Sequence, residues 1–407
     1  MTFRRVAVFS MHTSPLAQPG AGDGGGMNVY VRAMASALAR SGVDCDVYTR
    51  AEHPEQRPVV RVEPRFRVIH VPAGPLGSVP KHDLLGLVAP FVDAASELMV
   101  GRAPVDVLHG NYWLSGSVAH RLKHIHDLAM VATFHTLARV KADAGVDDDS
   151  ADRARVEHEV IACSDLMLAS TDDERAQLAS LYDADPSRIE VVPPGVDHAV
   201  FEPGDRAAAR RRLGLEGRRV LLFVGRIQPL KGVDLAVHCL ASLDDPTTTL
   251  LIVGGPSGAD GEAELRRVHA LVDDLGLRER VRFVAPQPHE GLADYYRAAD
   301  VCVVPSRTES FGLVALEAAA CGTPVVAAAV GGLRSLVDDG HTGFLVEGRD
   351  PSDFAAPVEL LLADNDIAAE MGVSAAARSR RYSWSITAAR LRRLYGDLVV
   401  RGLVRCD

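Results

Sequence analysis

The chain has 407 residues, too long for one ordinary core, and reads as two domains of roughly 200 residues each. Its formal net charge of −10 excludes a general nucleic-acid binder, which needs a basic face, and its 47% hydrophobic residues are typical of a soluble globular protein. The six cysteines, Cys45, Cys163, Cys239, Cys302, Cys321 and Cys406, are scattered without CxxC spacing, so neither a zinc site nor a disulfide framework is expected.

Short apolar runs alternate with amphipathic segments along the chain. VAVFS (6–10) follows two arginines and is too short for a signal segment, and no stretch reaches the roughly 18 apolar residues of a membrane span, so a cytoplasmic protein is expected. This run and DVYTR (46–50), RVIHVP (67–72), DVLHG (106–110), MVATFH (130–135) and LMLAST (166–171) read as buried parallel strands. YVRAMASALARSG (30–42) has helical spacing and stops at Gly42. After the aperiodic, Pro- and Gly-rich VVPPGVDHAVFEPGD (191–205) the pattern restarts with VLLFVGR (220–226), TLLIVGG (249–255), VRFVA (281–285), VCVVPS (301–306) and PVVAAAV (324–330). SWSITAARLRRLYGDLVVRG (383–402) reads as a final helix. The expected architecture is α/β: a doubly wound, Rossmann-like parallel sheet in 1–198, a second in 199–382, and a helix in 383–407 packing back toward the first domain. Ligands of such sheets bind outside the carboxyl ends of the strands, so the site is expected in a cleft between the two sheets.

Three motifs carry the chemistry. In MHTSPLAQPGAGDGGGMNVYV (11–31), Gly20, Gly22 and Gly25 match GxGxxG, the mark of a dinucleotide-binding oxidoreductase. There the first glycine follows its strand almost directly, whereas here Met11 to Pro19 intervene with two prolines. A plain turn is a second reading. A long loop whose backbone N–H groups approach an anionic or hydroxyl-rich ligand is the better one, and a helix starting near Met27 adds its positive end. FVGRIQPLKG sets Arg226 and Lys231 five residues apart at the mouth of a strand–helix unit. Arginine offers a fork and lysine a compact charge, a pair suited to a diphosphate, the alternative being a solvated surface pair. SRTESFGLVALEAAACGTPVVA sets Glu309 in a loop after a strand and Glu317, eight residues on, about two turns into an apolar helix. Carboxylates accept hydrogen bonds from sugar hydroxyls, and an unpaired charge inside an apolar helix would be costly.

ESFGLVALE, with FVGRIQPLKG before it and ACGTPVVAAAVGGL after it, resembles the donor domain of the family 4 retaining glycosyltransferases, which have the GT-B fold. In the first half SMHTSPLAQPGAGDGGGMNVYV, YWLSG, HTLARVK and YDADPSRIEVVPPGVD are similar to the branch that moves GlcNAc from UDP-GlcNAc to 1D-myo-inositol 3-phosphate, the first step of mycothiol biosynthesis. The resemblance implies that Arg226 and Lys231 neutralise the UDP diphosphate, that Glu309 holds the donor sugar and Glu317 the ribose, with Thr323 nearby. It also implies that Gln18, Pro19 and Gly26 line the donor, and that Gln287, where the family usually has Arg, meets uracil through its backbone. For the acceptor it points to His12, to Asp23, Gly24, Gly25, Gly26, Met27 and Asn28 of the loop, and to Lys81, Tyr112, Thr136 and Arg153, which together could take a phosphate monoester. His135 stands where the family has its active-site histidine. No catalytic metal is implied; a structural Mg²⁺ near Tyr296, Arg297 and Ala299 and a homodimer are within the family's range. The branch usually reads HTAHTL and HSHYW, and this chain reads ATFHTL and HGNYW, so Phe134 and Asn111 depart next to acceptor positions. The sibling readings are a sucrose-phosphate-synthase-like enzyme and a phosphoinositide mannosyltransferase, for which VAHRLKHIHDLAM (118–130) would supply a basic membrane patch.

Overall fold

Aliphatic and β-branched runs flanked by amphipathic segments bury both faces of a sheet, and the chain does this twice. The computed structural model describes residues 3–20, 22, 24–80, 83–143, 145, 151–258 and 260–406. It divides into two units: Met1–Ala17, Met27–Gly195 and Trp384–Asp407 form the first, and Gln18–Gly26 with Val196–Ser383 form the second.

The first unit holds β1 (Arg5–Phe9), β2 (Asp44–Arg50), β3 (Val59–Glu63), β4 (Phe66–Val71), β5 (Val107–Asn111), β6 (Ala129–Thr133), β7 (Leu166–Ala169) and β8 (Ile189–Val191) in the order β3-β4-β2-β1-β5-β6-β7-β8. The second holds β9 (Arg219–Val224), β10 (Thr248–Val253), β11 (Val281–Val284), β12 (Val301–Val304), β13 (Val325–Ala328) and β14 (Gly343–Val346) in the order β11-β10-β9-β12-β13-β14. Pairing is parallel except for β3, which runs antiparallel to β4. β3, β8 and β14 lie outside the strands read from the sequence. The first is a partly exposed edge that alternates instead of forming an apolar run, and the other two are only three and four residues long.

Strand order reverses between β1 and β5 in the first sheet and between β9 and β12 in the second. At these points the loops leave in opposite directions and open a crevice at the carboxyl ends of the strands.

The final helix, Trp384–Val399, belongs to the first unit and buries Thr387, Ala388, Leu391, Leu394, Tyr395 and Leu398 along one stripe. The Tyr395 hydroxyl lies 2.7 Å from Nδ1 of His109, whose Nε2 lies 2.8 Å from the Thr133 hydroxyl. Burial pushes the His109 imidazole down to about 3, so the ring is neutral and each nitrogen has one bond.

The scattered cysteines conceal one meeting: Cys163 and Cys406 bring their sulfurs into contact, while Cys45, Cys239, Cys302 and Cys321 are buried thiols. Membrane association is not expected, and the basic segment 118–130, which the phosphoinositide alternative would need as a membrane patch, has one of its cations turned inward. Lys123 is buried at 3% exposure and paired with Asp165 at 2.8 Å, so it does not contribute to a cationic face. Among the described residues no helix is long and apolar enough to cross a membrane.

Tyr395→Phe keeps the ring and removes one bond from a buried imidazole. It should cost about 1–3 kcal/mol in urea unfolding, and a change within error would show that the bond does not help hold the helix.

Candidate active site

The crevice of the second sheet gathers the charged residues of the two sharpest motifs. Arg226 follows Gly225 at the end of β9, and Lys231 closes the short turn Pro229–Lys231 beyond it. Glu309 sits in the loop after β12, the strand beside β9. Lys231 Nζ donates to Glu309 Oε2 at 2.7 Å, and the two side chains are 22% and 19% exposed. The Ser306 hydroxyl adds a contact to the same oxygen at 3.3 Å. Glu309 is fixed by its backbone too: Gly332 N–H donates to its carbonyl at 2.9 Å. Gly331, at φ +44°, lies so close that a Cβ there would overlap this carbonyl, and one at Gly332 would overlap Phe311. Sequence reading saw Gly331–Gly332 only as part of a resemblance; two glycines directly after a strand were the available signal for a close backbone approach.

Glu317 lies in the second turn of the helix Leu313–Ala320 and is 5% exposed. His289 Nε2 donates to one carboxylate oxygen at 2.7 Å and the Tyr296 hydroxyl to the other at 2.8 Å. Each oxygen keeps a lone pair for a further donor. Neither partner is legible beside Glu317 in the sequence, because both come from a separate segment, where Tyr296 is expected only near a metal. Burial opposes a charge on His289, but the Glu317 carboxylate overcomes it by charge and hydrogen bond and raises the imidazole above its ordinary value. Thr323 is not brought to Arg226 and Lys231: it is 1% exposed and its hydroxyl donates to the Tyr296 carbonyl at 2.6 Å. Arg297 donates to the Val200 and Glu202 carbonyls at 2.7 and 2.9 Å, and Ala299 N–H to the Tyr296 carbonyl at 3.2 Å.

The glycine loop belongs to this unit. Gly255 N–H donates to the Gly20 carbonyl at 3.1 Å, and Gly20 at φ +84° packs on Pro286. The Gly24 carbonyl accepts from Gly20 N–H at 2.9 Å. The Gln18 amide donates to the Gln287 carbonyl and, at 3.3 Å, to that of Pro19. A Cβ on Gly25 would stand 3.0 Å from the Arg226 guanidinium, and one on Gly26 3.6 Å from Leu313. Asp23 lies outside the described residues.

In the first unit the crevice between β1 and β5 places His12 just beyond one strand and Tyr112 just beyond the other. Their rings are 4.5 Å apart, and the Arg153 guanidinium lies 4.9 Å from the centre of the Tyr112 ring. Arg153 also donates to the Thr136 carbonyl at 2.7 Å and hydroxyl at 3.0 Å. Tyr112, Thr136 and Arg153 therefore come together; Lys81 lies outside the described residues. Arg153 is fully buried and paired with an equally buried Glu157 at 2.7 Å, a partner the sequence reading did not foresee. Asn28 donates to the Thr13 hydroxyl and the Ser14 carbonyl, both at 2.7 Å, and so holds the segment after His12; Met27 packs beside it on the core.

Tyr112 (φ 77°) and His135 (φ 62°) are non-glycine residues in the left-handed region, each just past a strand end. Among the described residues the others of this kind are Arg65, in the β3–β4 turn, and Asp127 and Asp183, at helix ends. His135 is neutral, its imidazole pushed down to about 3 by burial, with Nε2 3.0 Å from Asn111 Oδ1 and Tyr30 edge-on at 4.8 Å. Asn111 Nδ2 is buried and has no partner among the described residues. Phe134 is buried in the core of this unit at 1% exposure.

Two family models match the chain: "Glycosyl transferases group 1" over residues 205–378 and "Glycosyl transferase 4-like domain" over residues 25–195. A D-inositol 3-phosphate glycosyltransferase of Geodermatophilus obscurus is 49% identical over 396 residues, covering 94% of this chain and 87% of that one. One of Corynebacterium efficiens is 45% identical over 415 residues, covering 99% and 97%. Among solved structures, a sucrose-phosphate synthase from Thermosynechococcus elongatus is 35% identical with a TM-score of 0.91, covering 97% of this chain and 99% of that one. Anabaena HepE in complex with UDP-glucose, at 21% identity and a TM-score of 0.78 over 97% and 100%, shares the fold.

The His289–Glu317 pair has a definite pH signature. His289, raised in the folded chain, contributes stability that is complete below about 6.5, the ordinary histidine value, and is lost as pH rises through its folded value. Imidazole NMR should show His289 titrating above that ordinary value, and Glu317→Gln should bring it down. A midpoint unmoved by the substitution would refute the pairing.

Proposed function

The chain belongs to the group 1 glycosyl transferases and has a GT-B fold of two parallel-sheet domains, and from that premise we propose that it transfers GlcNAc from UDP-GlcNAc to 1D-myo-inositol 3-phosphate with retention at the anomeric carbon, opening mycothiol biosynthesis. The observation that carries this reading is the Lys231–Glu309 pair at the strand reversal, with Arg226 just past the end of β9 at the same reversal and the glycine loop against it. Paired cations beside a carboxylate suit a diphosphate joined to a hydroxyl-rich sugar.

In this reading Arg226 and Lys231 take up the negative charge that grows on the leaving diphosphate, which is the main catalytic contribution. Glu309, while sharing Lys231, accepts from sugar hydroxyls. The lone pairs of Glu317 left free by His289 and Tyr296 accept from the ribose. Gly26 lies against the diphosphate, and the Gln287 backbone, with Gln18 and Pro19 beside it, faces uracil. On the acceptor side Tyr112, Thr136 and Arg153, with Lys81, bind the phosphate monoester and so orient the attacking hydroxyl from a distance. His12 and the Gly24–Asn28 stretch border the inositol ring. Neutral His135 donates or accepts without adding charge, and the Asn111 amide offers a donor to an acceptor oxygen. The bond from the anomeric carbon to the diphosphate oxygen breaks and the acceptor oxygen bonds on the same face. The acceptor proton passes to the departing diphosphate, leaving UDP and the glycosylated inositol phosphate. No step runs through a metal. A sucrose-phosphate-synthase-like acceptor is the second reading, favoured by the 35% identity to that enzyme over nearly the whole chain.

UDP release from UDP-GlcNAc should require 1D-myo-inositol 3-phosphate and be absent with unphosphorylated myo-inositol. Equal turnover with both would remove the phosphate-binding role, and none with either would remove the acceptor. Lys231→Ala should lower kcat by roughly 10²–10³ with the fold retained, as for loss of one charge-stabilising donor. Gly331→Ala should act at a distance: displacing the Glu309 backbone by about 1 Å should cost roughly 100-fold in kcat/KM, and normal kinetics would show that the glycine does not set the position of Glu309.

A further inference from the structure

The helix Trp113–His126 carries His120 and His124 one turn apart, so both rings project from one face. Cys163 ends the helix Ala151–Cys163, and Cys406 lies 243 residues away in the sequence. These four belong to the first unit, and one ligand atom from each lies within 4.8 Å of the others. His124 Nε2 is 3.5 Å from each sulfur, and His120 Nε2 is 3.9 Å from that of Cys406. A zinc ion bound by sulfur at about 2.3 Å and nitrogen at about 2.0–2.1 Å sets its tetrahedral ligands roughly 3.3–3.8 Å apart. The two spacings from His124 fall in that range and the one from His120 to Cys406 lies just above it, and the same nitrogen, Nε2, faces sulfur in both histidines.

The supports of the cluster are built as well. Lys123 Nζ donates to the Cys163 carbonyl and to Asp165 Oδ2, both at 2.8 Å. Asp165 Oδ1 accepts from Val404 N–H at 2.6 Å, and Oδ2 accepts from Met130 N–H at 2.7 Å. One buried ion pair thus positions the backbone on both sides of the cluster, as outer groups do in metal sites. We propose that His120, His124, Cys163 and Cys406 form a structural zinc site that ties the 401–406 segment to the helices Trp113–His126 and Ala151–Cys163. Four protein ligands leave no open position, so the ion is a staple and not a catalyst. On binding, the two thiols lose their protons to solvent and the sulfurs part onto adjacent corners of the tetrahedron. A disulfide would join Cys163 to Cys406 but would give the two imidazoles no role.

Full-length protein without a histidine tag, purified under reducing conditions, should contain one zinc per chain by plasma mass spectrometry, released when the thiols are titrated with a mercurial. Cobalt(II) added to metal-stripped protein should show thiolate charge-transfer and tetrahedral d–d bands. His124→Ala, at an exposed position, should fold and lose the stoichiometric zinc. Three results would overturn the proposal: no binding by zinc-treated reduced protein, zinc retained in full by His124→Ala, or a metal-free chain lighter by two hydrogens in non-reducing mass spectrometry, which marks the disulfide.

Discussion

A lysine cation held four-fifths out of water needs a negative partner, and Lys231 finds it in Glu309. Much of the second unit follows from keeping that pair in place. Gly232 after the lysine adopts φ +68° in a space where a side chain would meet the Pro305 carbonyl. The backbone after β12 is pinned by Gly332 and pressed against Gly331. The pair therefore rests on three segments that approach through glycine, and its charges are oriented before any ligand arrives. Such preorganisation makes an electrostatic site effective, because little reorganisation remains when charge develops.

The first unit solves a different problem. Its two neighbouring strands, β5 and β6, end in Tyr112 and His135, each in a backbone conformation that costs of order 1–3 kcal/mol for a residue with a side chain. Local bonds offset part of that cost: Tyr112 N–H donates to the Thr133 carbonyl at 2.7 Å, and His135 meets Asn111 from the end of the other strand. At this position the Tyr112 ring meets both the His12 ring, at 4.5 Å, and the Arg153 guanidinium, at 4.9 Å. Burial without charge suits His135, because an imidazolium there would need a counter-ion.

The parallel sheets were legible because strands buried on both faces read as unbroken apolar runs, and the crevices followed from the alternation of strand and helix. Arg226, Lys231 and Glu309 were legible as charges in the segments just after strands, and Glu317 because it breaks the apolar pattern inside a helix. Their partners were not. Lys231 was read as a ligand for phosphate, yet its partner in the chain is Glu309, 78 positions on. Arg153 looked like a phosphate cation, and only the fold shows Glu157 one helical turn away sharing its charge in full burial. Thr323 shared a motif with Glu317 but turned toward Tyr296. Cys163 and Cys406 carried no spacing signal at all, since contact between residues so far apart is decided by where the final helix crosses back.

That crossing back, together with the glycine loop, gives the chain an interleaved order. The path changes unit after Ala17, after Gly26, after Gly195 and after Ser383. No single cut of the polypeptide therefore yields two intact halves. A fragment ending near Gly195 would keep β1 to β8 but lack the helix that covers His109, and would carry a glycine loop severed from its partners. A fragment starting at Val196 would keep the charged crevice but lose the strand-end support supplied by Gly20. For modular engineering, in which one unit is exchanged between relatives, the exchange is a set of four junctions rather than one.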